Sequence, residues 1–165
     1  MKYPIYKPRF FPNTQKYVND CLDTTWISSK GSYIKKFETS FANYLSVNYA
    51  TSVNNGTAAL HMCLCALGIG EGDEVIVPTF TYIASVNAIK YVGAEPIFVD
   101  SDKATWNLDV TFLDSLITKK TKAIMAVHLY GNPCDMDALR GLCDKRNIYL
   151  IEDVSQAHGV LYKNK

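Results

Sequence analysis

The sequence predicts an α/β fold, a doubly wound and mostly parallel sheet with helices on both faces, and three observations carry that prediction. Strand-like and helix-like segments alternate from residue 49 onward. The strand-like ones, "EVIVP", "EPIFVD" and "KAIMAVHLYG", are apolar almost throughout, so both of their faces must be covered. The helical segments between them are long enough to return the chain beside its last strand by a right-handed crossover.

Taken in order, residues 1–31 hold three of the six prolines and read as an arm. One helix is expected within it over "TQKYVNDCLDTTW", with Tyr17, Val18, Cys21 and Leu22 on its inner face. From Ser32, the spacing of Ile34, Phe37, Phe41, Tyr44 and Leu45 is that of an amphipathic helix, with Ser32 as its N-cap. There follow a strand over "YATSV", a helix over "TAALHMCLCALG" closed by Gly68, and the strand "EVIVP". Next come a helix over "TYIASVNAIKYVG" closed by Gly93, the strand "EPIFVD" and a helix over "DVTFLDSLI". The strand "KAIMAVHLYG", a helix over "MDALRGLCDKRN" and the strand "YLIEDV" complete the alternation. Two parts are expected: the arm with its first helix, 1–31, and a partial ligand-binding domain, 32–165.

Composition narrows the function classes. With 165 residues, 48% of them hydrophobic and 20% charged, the chain can bury one sizeable core. Its net charge is +1, from 17 basic and 16 acidic residues without long runs, which argues against a nucleic-acid or membrane-surface partner. No segment has the length of a signal peptide core or a membrane span, so the expected location is cytoplasmic. Cysteines number five, and Cys63 and Cys65 sit within a helical pattern, so free buried thiols and no metal site are expected.

In an open parallel sheet, ligands bind outside the carboxyl ends of the strands, which directs attention to the loops there. After "YATSV", Asn54-Asn55-Gly56-Thr57-Ala58-Ala59 opens a helix whose first N–H groups lack internal partners. They form an anion site, with the Thr57 hydroxyl as a further donor, unless Asn55 or Thr57 merely caps the helix. Tyr82, after "EVIVP", is either a packing aromatic or a stacking surface for a flat heterocycle. His128 and Tyr130 end the strand "KAIMAVHLYG", where His128 is a base or a hydrogen-bonded structural residue.

The last loop is the most informative. In "LIEDVSQAHG", side-chain alternation sends Glu152 and Asp153 to opposite faces of the sheet. No Lys or Arg lies close in sequence to keep a buried carboxylate ionised, whereas a ligand carrying its own N–H⁺ would do so. A phosphate cradle, a stacking aromatic and a carboxylate for a protonated ring nitrogen together describe a site for pyridoxal 5′-phosphate (PLP). A dinucleotide site is disfavoured, because the first loop has a single glycine and no G-x-G-x-x-G.

The segments "TWISSKG", "NNGTAALHMCLCALGIGEGDEVIVPTFTYIASVNAIKYVGAEPIFVD", "VHLYGNPCDMDAL" and "IEDVSQAHG", in that order, resemble the PLP-dependent sugar aminotransferases of the DegT/DnrJ/EryC1/StrS family. That family has the fold type I, aspartate aminotransferase-like large domain. "TWISS", Asn-Asn-Gly-Thr and "HLYG-x-x-CDMD" resemble its perosamine synthase-like branch most. The resemblance implies transfer of an amino group from L-glutamate to C4 of a nucleotide-linked 4-keto-6-deoxyhexose, as in perosamine or viosamine synthesis. The cofactor would pass through its pyridoxamine (PMP) form, in a homodimer with shared sites. A 3-aminotransferase or a PLP/PMP-dependent 3-dehydratase of the same family is the alternative, and a non-catalytic remnant or partner chain is a second.

Residue by residue, the resemblance implies that the backbone at Gly56, Thr57 and Ala58 holds the phosphate and that Tyr82 stacks on the ring. It implies Asp153 as the catalytic carboxylate on the ring nitrogen and Gln156 on the phenolic oxygen. It places Trp26, Ser28, Ser29 and Lys30 near the nucleotide-sugar, and matches His158 to a position often filled by His. The family's Schiff-base lysine lies downstream of the segment matched by "IEDVSQAHG". Lys163 and Lys165 follow Asp153 too closely, in the polar "YKNK", to replace it. These 165 residues are therefore expected to be the N-terminal part of an enzyme, inactive alone and with apolar surface left uncovered.

Overall fold

A computed structural model describes residues 7–164 of the chain. Between Ser52 and Val53 the chain divides into two compact units.

The first unit holds two helices, α1 (Thr14–Asp23) and α2 (Ser32–Tyr44). Tyr17, Val18, Cys21 and Leu22 share one face of α1, as the periodicity predicts, and with Ile27, Tyr33 and Phe37 they line an open groove. They do not form a closed core: Val18 is 52% and Leu22 59% exposed, and only Ala42 of α2 is buried. Ser32 is not the N-cap. Gly31 occupies that position in extended backbone, and Ser32 is the first helical residue, with no capping hydrogen bond from its side chain.

The expected strand over "YATSV" does not form. A strand needs a neighbour's ladder, and none of the four strands pairs with these residues. Instead both the N–H and the hydroxyl of Ser52 donate to the Glu38 carboxylate, at 2.8 and 2.9 Å, which uses the backbone donor a ladder would require. Those two bonds hold the Glu38 carboxyl below its ordinary value.

The second unit is the predicted doubly wound layer structure. Its strands are β1 (Glu74–Pro78), β2 (Glu95–Val99), β3 (Thr121–Val127) and β4 (Tyr149–Asp153), all parallel, in the order β2-β1-β3-β4. Alternation sorts their side chains into two cores. Val75, Val77, Ala123, Met125 and Ile151 pack on one face against Leu60 and Leu64 of α3 (Gly56–Ala66) and Ala88 and Ile89 of α4 (Ile83–Tyr91). Ile76, Ile124 and Ala126 face the other way, onto Leu113 of α5 (Leu113–Leu116) and Leu139 and Cys143 of α6 (Met136–Arg146).

Helix ends follow the glycines read from the sequence: Gly68 and Gly93 take φ of +70° and +80° just past α3 and α4. Two elements are shorter than expected. Over "DVTFLDSLI" only Leu113–Leu116 is helical, because Asp109 Oδ1 accepts both the N–H and the hydroxyl of Thr111 and holds the start as a turn. Strand β3 stops at Val127, and Leu129–Gly131 forms a 3-10 turn in which Tyr130 has φ +51°.

All five thiols are free, but only Cys134 and Cys143 are buried as expected; Cys63 and Cys65 are exposed, on the outer face of α3. Burial pushes the Cys134 thiol up to about 12 and the Cys143 thiol up to about 11. Iodoacetamide at neutral pH is therefore expected to label Cys63 and Cys65 and to spare Cys134 and Cys143, as read by peptide mass spectrometry. No helix among the described residues is long and apolar enough to cross a membrane, and no cluster there has the composition of a metal site.

Candidate cofactor site

The sheet order places a topological switch between β1 and β3: after β1 the chain winds to β2 on one side, then returns to β3 on the other. A cleft opens at the carboxyl ends there. Val127 of β3, Asp153 of β4, and Thr81, Tyr82 and Ala84 after β1 line it, together with Gly56, Thr57 and Leu60 of α3 and with Ser155 and Gln156.

The floor is Asp153, 8% exposed. Its Oδ1 accepts the Ser155 N–H at 3.1 Å and the Ser155 hydroxyl at 2.6 Å, and its Oδ2 accepts the Ser85 hydroxyl at 3.0 Å. None of the ion pairs among the described residues includes Asp153. Sequence reasoning missed both serines, although each had a signal. Ser85 interrupts the apolar face of α4, and a buried hydroxyl there needs a partner; Ser155 stands two residues after Asp153, the spacing of an Asx turn.

One wall is the start of α3. Asn55 caps it, its Oδ1 accepting the Ala58 N–H at 2.8 Å. Of the two readings the structure shows the cap: Ala58 is engaged, while among the described residues no acceptor meets the N–H groups of Gly56 and Thr57. Gly56 is needed for closeness, since a Cβ there would stand 3.3 Å from Ser155 Oγ. Replacing Asn55 by Ala is expected to cost about 1 kcal/mol of folding free energy, checked by urea denaturation.

Opposite, Tyr82 is 76% exposed at the N-cap position of α4, so its ring lines the cleft and does not pack in a core. Gln156 is oriented by its carbonyl, which accepts the Tyr130 N–H at 2.9 Å. Its NH₂ is thereby turned away as a donor for something else.

Glu152 and Asp153 face different cavities, as alternation requires. Glu152 accepts from His128 Nε2 at 3.0 Å, while His128 Nδ1 accepts the Cys134 N–H at 3.0 Å. Those partners define the tautomer with its proton on Nε2. Of the two readings of His128, the geometry favours the structural one: the ring is 4% exposed and lines the other cavity.

The DegT/DnrJ/EryC1/StrS aminotransferase family model matches residues 10–165. The chain belongs to this family. It is 61% identical, over its whole length and 46% of the other protein, to the GDP-perosamine synthase of Escherichia coli O157:H7. It is 52% identical to the GDP-perosamine synthase of Vibrio cholerae, over 98% of the chain and 44% of that protein. The solved structure of E. coli GDP-4-keto-6-deoxy-D-mannose-3-dehydratase with bound hydrated PLP superposes with a TM-score of 0.90 at 31% identity, covering 99% of this chain and 43% of that one. The chain thus spans less than half the length of the relatives it matches. Within that span the DegT/DnrJ/EryC1/StrS member has the fold type I, aspartate aminotransferase-like sheet that its sequence predicts.

The remaining positions singled out by the family resemblance are distributed differently. Trp26, Ser28, Ser29 and Lys30 are exposed in the turn between α1 and α2, in the first unit. His158 is exposed beyond β4. Lys163 is an exposed lysine held in an ion pair by Asp137, which raises its pKa and keeps it charged. Lys165 lies outside the described residues.

Proposed function

We propose that this chain is the N-terminal part of a PLP-dependent aminotransferase. It would move an amino group from L-glutamate to C4 of a GDP-linked 4-keto-6-deoxyhexose, the perosamine-forming reaction. The observation that carries the reading is Asp153: a buried carboxylate, oriented by three hydrogen bonds and without a cation, at the floor of a cleft with unpartnered helix N–H groups on its wall. High identity to two GDP-perosamine synthases supports the choice of substrate.

The residues present fit PLP. The N–H groups of Gly56 and Thr57 and the Thr57 hydroxyl would hold the phosphate at the positive end of α3, with Ala58 contributing through the capped turn. Tyr82 would cover one ring face, Gln156 NH₂ would donate to the phenolic oxygen, and Asp153 would hold the proton on the ring nitrogen. When bound, that ring supplies an electron sink for the carbon losing its proton. Asp153 would serve it by accepting the ring N–H, and its burial keeps bulk water from that contact.

The division into an arm over 1–31 and a partial large domain over 32–165 belongs to the same proposal. So do the PMP form, a cytoplasmic homodimer, nucleotide-sugar contacts from Trp26, Ser28, Ser29 and Lys30, and a cofactor-bearing lysine supplied downstream of residue 165. The test is incubation of the full-length protein with PLP, L-glutamate and GDP-4-keto-6-deoxymannose, followed by mass spectrometry. Formation of a C4 amino sugar with 2-oxoglutarate is expected, and residues 1–165 alone are expected to form none. A product that has lost its C3 hydroxyl would instead favour the 3-dehydratase reading, which similarity to the PLP-bound E. coli dehydratase motivates.

A further inference from the structure

Asp153 is held asymmetrically, and the asymmetry assigns work to a residue outside the cofactor contacts named above. A carboxylate has about four in-plane acceptor positions, two on each oxygen. Oδ1 is filled by the N–H and the hydroxyl of Ser155, at 3.1 and 2.6 Å. Oδ2 takes a single protein donor, the Ser85 hydroxyl at 3.0 Å, and so retains one acceptor position. Ser85 is fully buried in α4, and its own oxygen lies 3.1 Å from Thr81 Oγ1, one helical turn earlier. A hydroxyl has one proton, and the Ser85 proton is committed to Asp153, so Thr81 donates in that contact, the shorter of its two, the other being to the Tyr82 carbonyl at 3.4 Å. The result is a chain from Thr81 to Ser85 to Oδ2, anchored in a helix whose neighbours Ala88 and Ile89 are buried in the core.

We propose that Ser85, backed by Thr81, is a positioning residue that presents the free acceptor position of Asp153 Oδ2 to the cofactor's ring nitrogen. The proposal rests on the reading of Asp153 given above. Ser155 acts on the other oxygen, from the loop directly after the strand that carries Asp153. Ser85 is carried by a different element, so it gives the carboxylate a second, independent hold against rotation about its bond to the β-carbon, at the oxygen that faces the ring nitrogen in this reading. Without it, the carboxylate is held through Oδ1 alone, and a rotation that carries Oδ2 off the ring nitrogen is opposed only by the Ser155 contacts.

The experiment compares the full-length protein with its Ser85→Ala, Thr81→Val and Asp153→Ala variants. Equilibrium binding is measured for PLP and for the analogue in which the ring nitrogen is replaced by C–H. Ser85→Ala is expected to weaken PLP binding about tenfold, the loss of one well-placed hydrogen bond to a charged group, and to leave the analogue's affinity unchanged. Thr81→Val, at a partly exposed position where folding is not at risk, is expected to weaken PLP alone by roughly threefold. Equal losses for both ligands, or no loss for either, in both variants would overturn the positioning role. If Asp153→Ala also fails to distinguish the ligands from their wild-type values, the reading of Asp153 as the ring-nitrogen partner falls, and this inference with it.

Discussion

Asp153→Ala in the full-length protein is expected to lower the affinity for PLP by roughly 10- to 150-fold, the value of one hydrogen bond to a charged group at a buried position. The loss has two origins. In the proposed reading the ring nitrogen would lose its acceptor, and the Ser85 and Ser155 hydroxyls lose theirs, so both must find substitutes beside a buried position. Absorbance titration with PLP measures the effect directly. Asp153→Asn separates the contributions, since an amide can keep its oxygen for Ser155 but then offers N–H, not a lone pair, on the side of Ser85 and the ring nitrogen. Affinity unchanged in both variants would remove Asp153 from the cofactor site.

His128→Leu is expected to destabilise the fold by roughly 2–4 kcal/mol while leaving cofactor affinity untouched. Leucine cannot accept the buried Cys134 N–H, and it deprives Glu152 of the donor that holds its carboxyl below the ordinary value of 4.5. His128→Asn, which places an acceptor near the position of Nδ1, is expected to recover the Cys134 part of the loss. The sign of the pH effect follows from the direction of the shift. A carboxyl lowered in the folded state contributes stability that is complete above 4.5 and is lost as pH falls through the folded value. Urea unfolding of wild type and Glu152→Gln between neutral pH and pH 3 checks this, because the variant lacks that part of the acid sensitivity.

These two residues also mark how far the sequence could be read. The fate of Asp153, buried at a cleft beyond its strand, was legible because a side chain ending an apolar strand of a parallel sheet falls where such sheets open their clefts. That of His128 was not, since its two partners come from residues 134 and 152, and a periodic pattern carries no information about which loops meet. The same limit hid Ser85, whose partner is 68 residues away. The "YATSV" strand failed for a related reason: its composition suits a strand, but strands exist only in pairs, and Glu38 took the Ser52 donor first.

By itself the sequence determined the layer architecture, the parallel strands and the glycine-ended helices, because each depends on local periodicity and on the need to bury apolar faces. Only the tertiary structure decided which oxygen of Asp153 stays available, which N–H groups of α3 remain free beside the Asn55 cap, and which way Gln156 turns its amide. Those are outcomes of competition for hydrogen-bond donors and acceptors among segments far apart in the chain, and that competition is settled only once packing has brought them within 3 Å or so of one another.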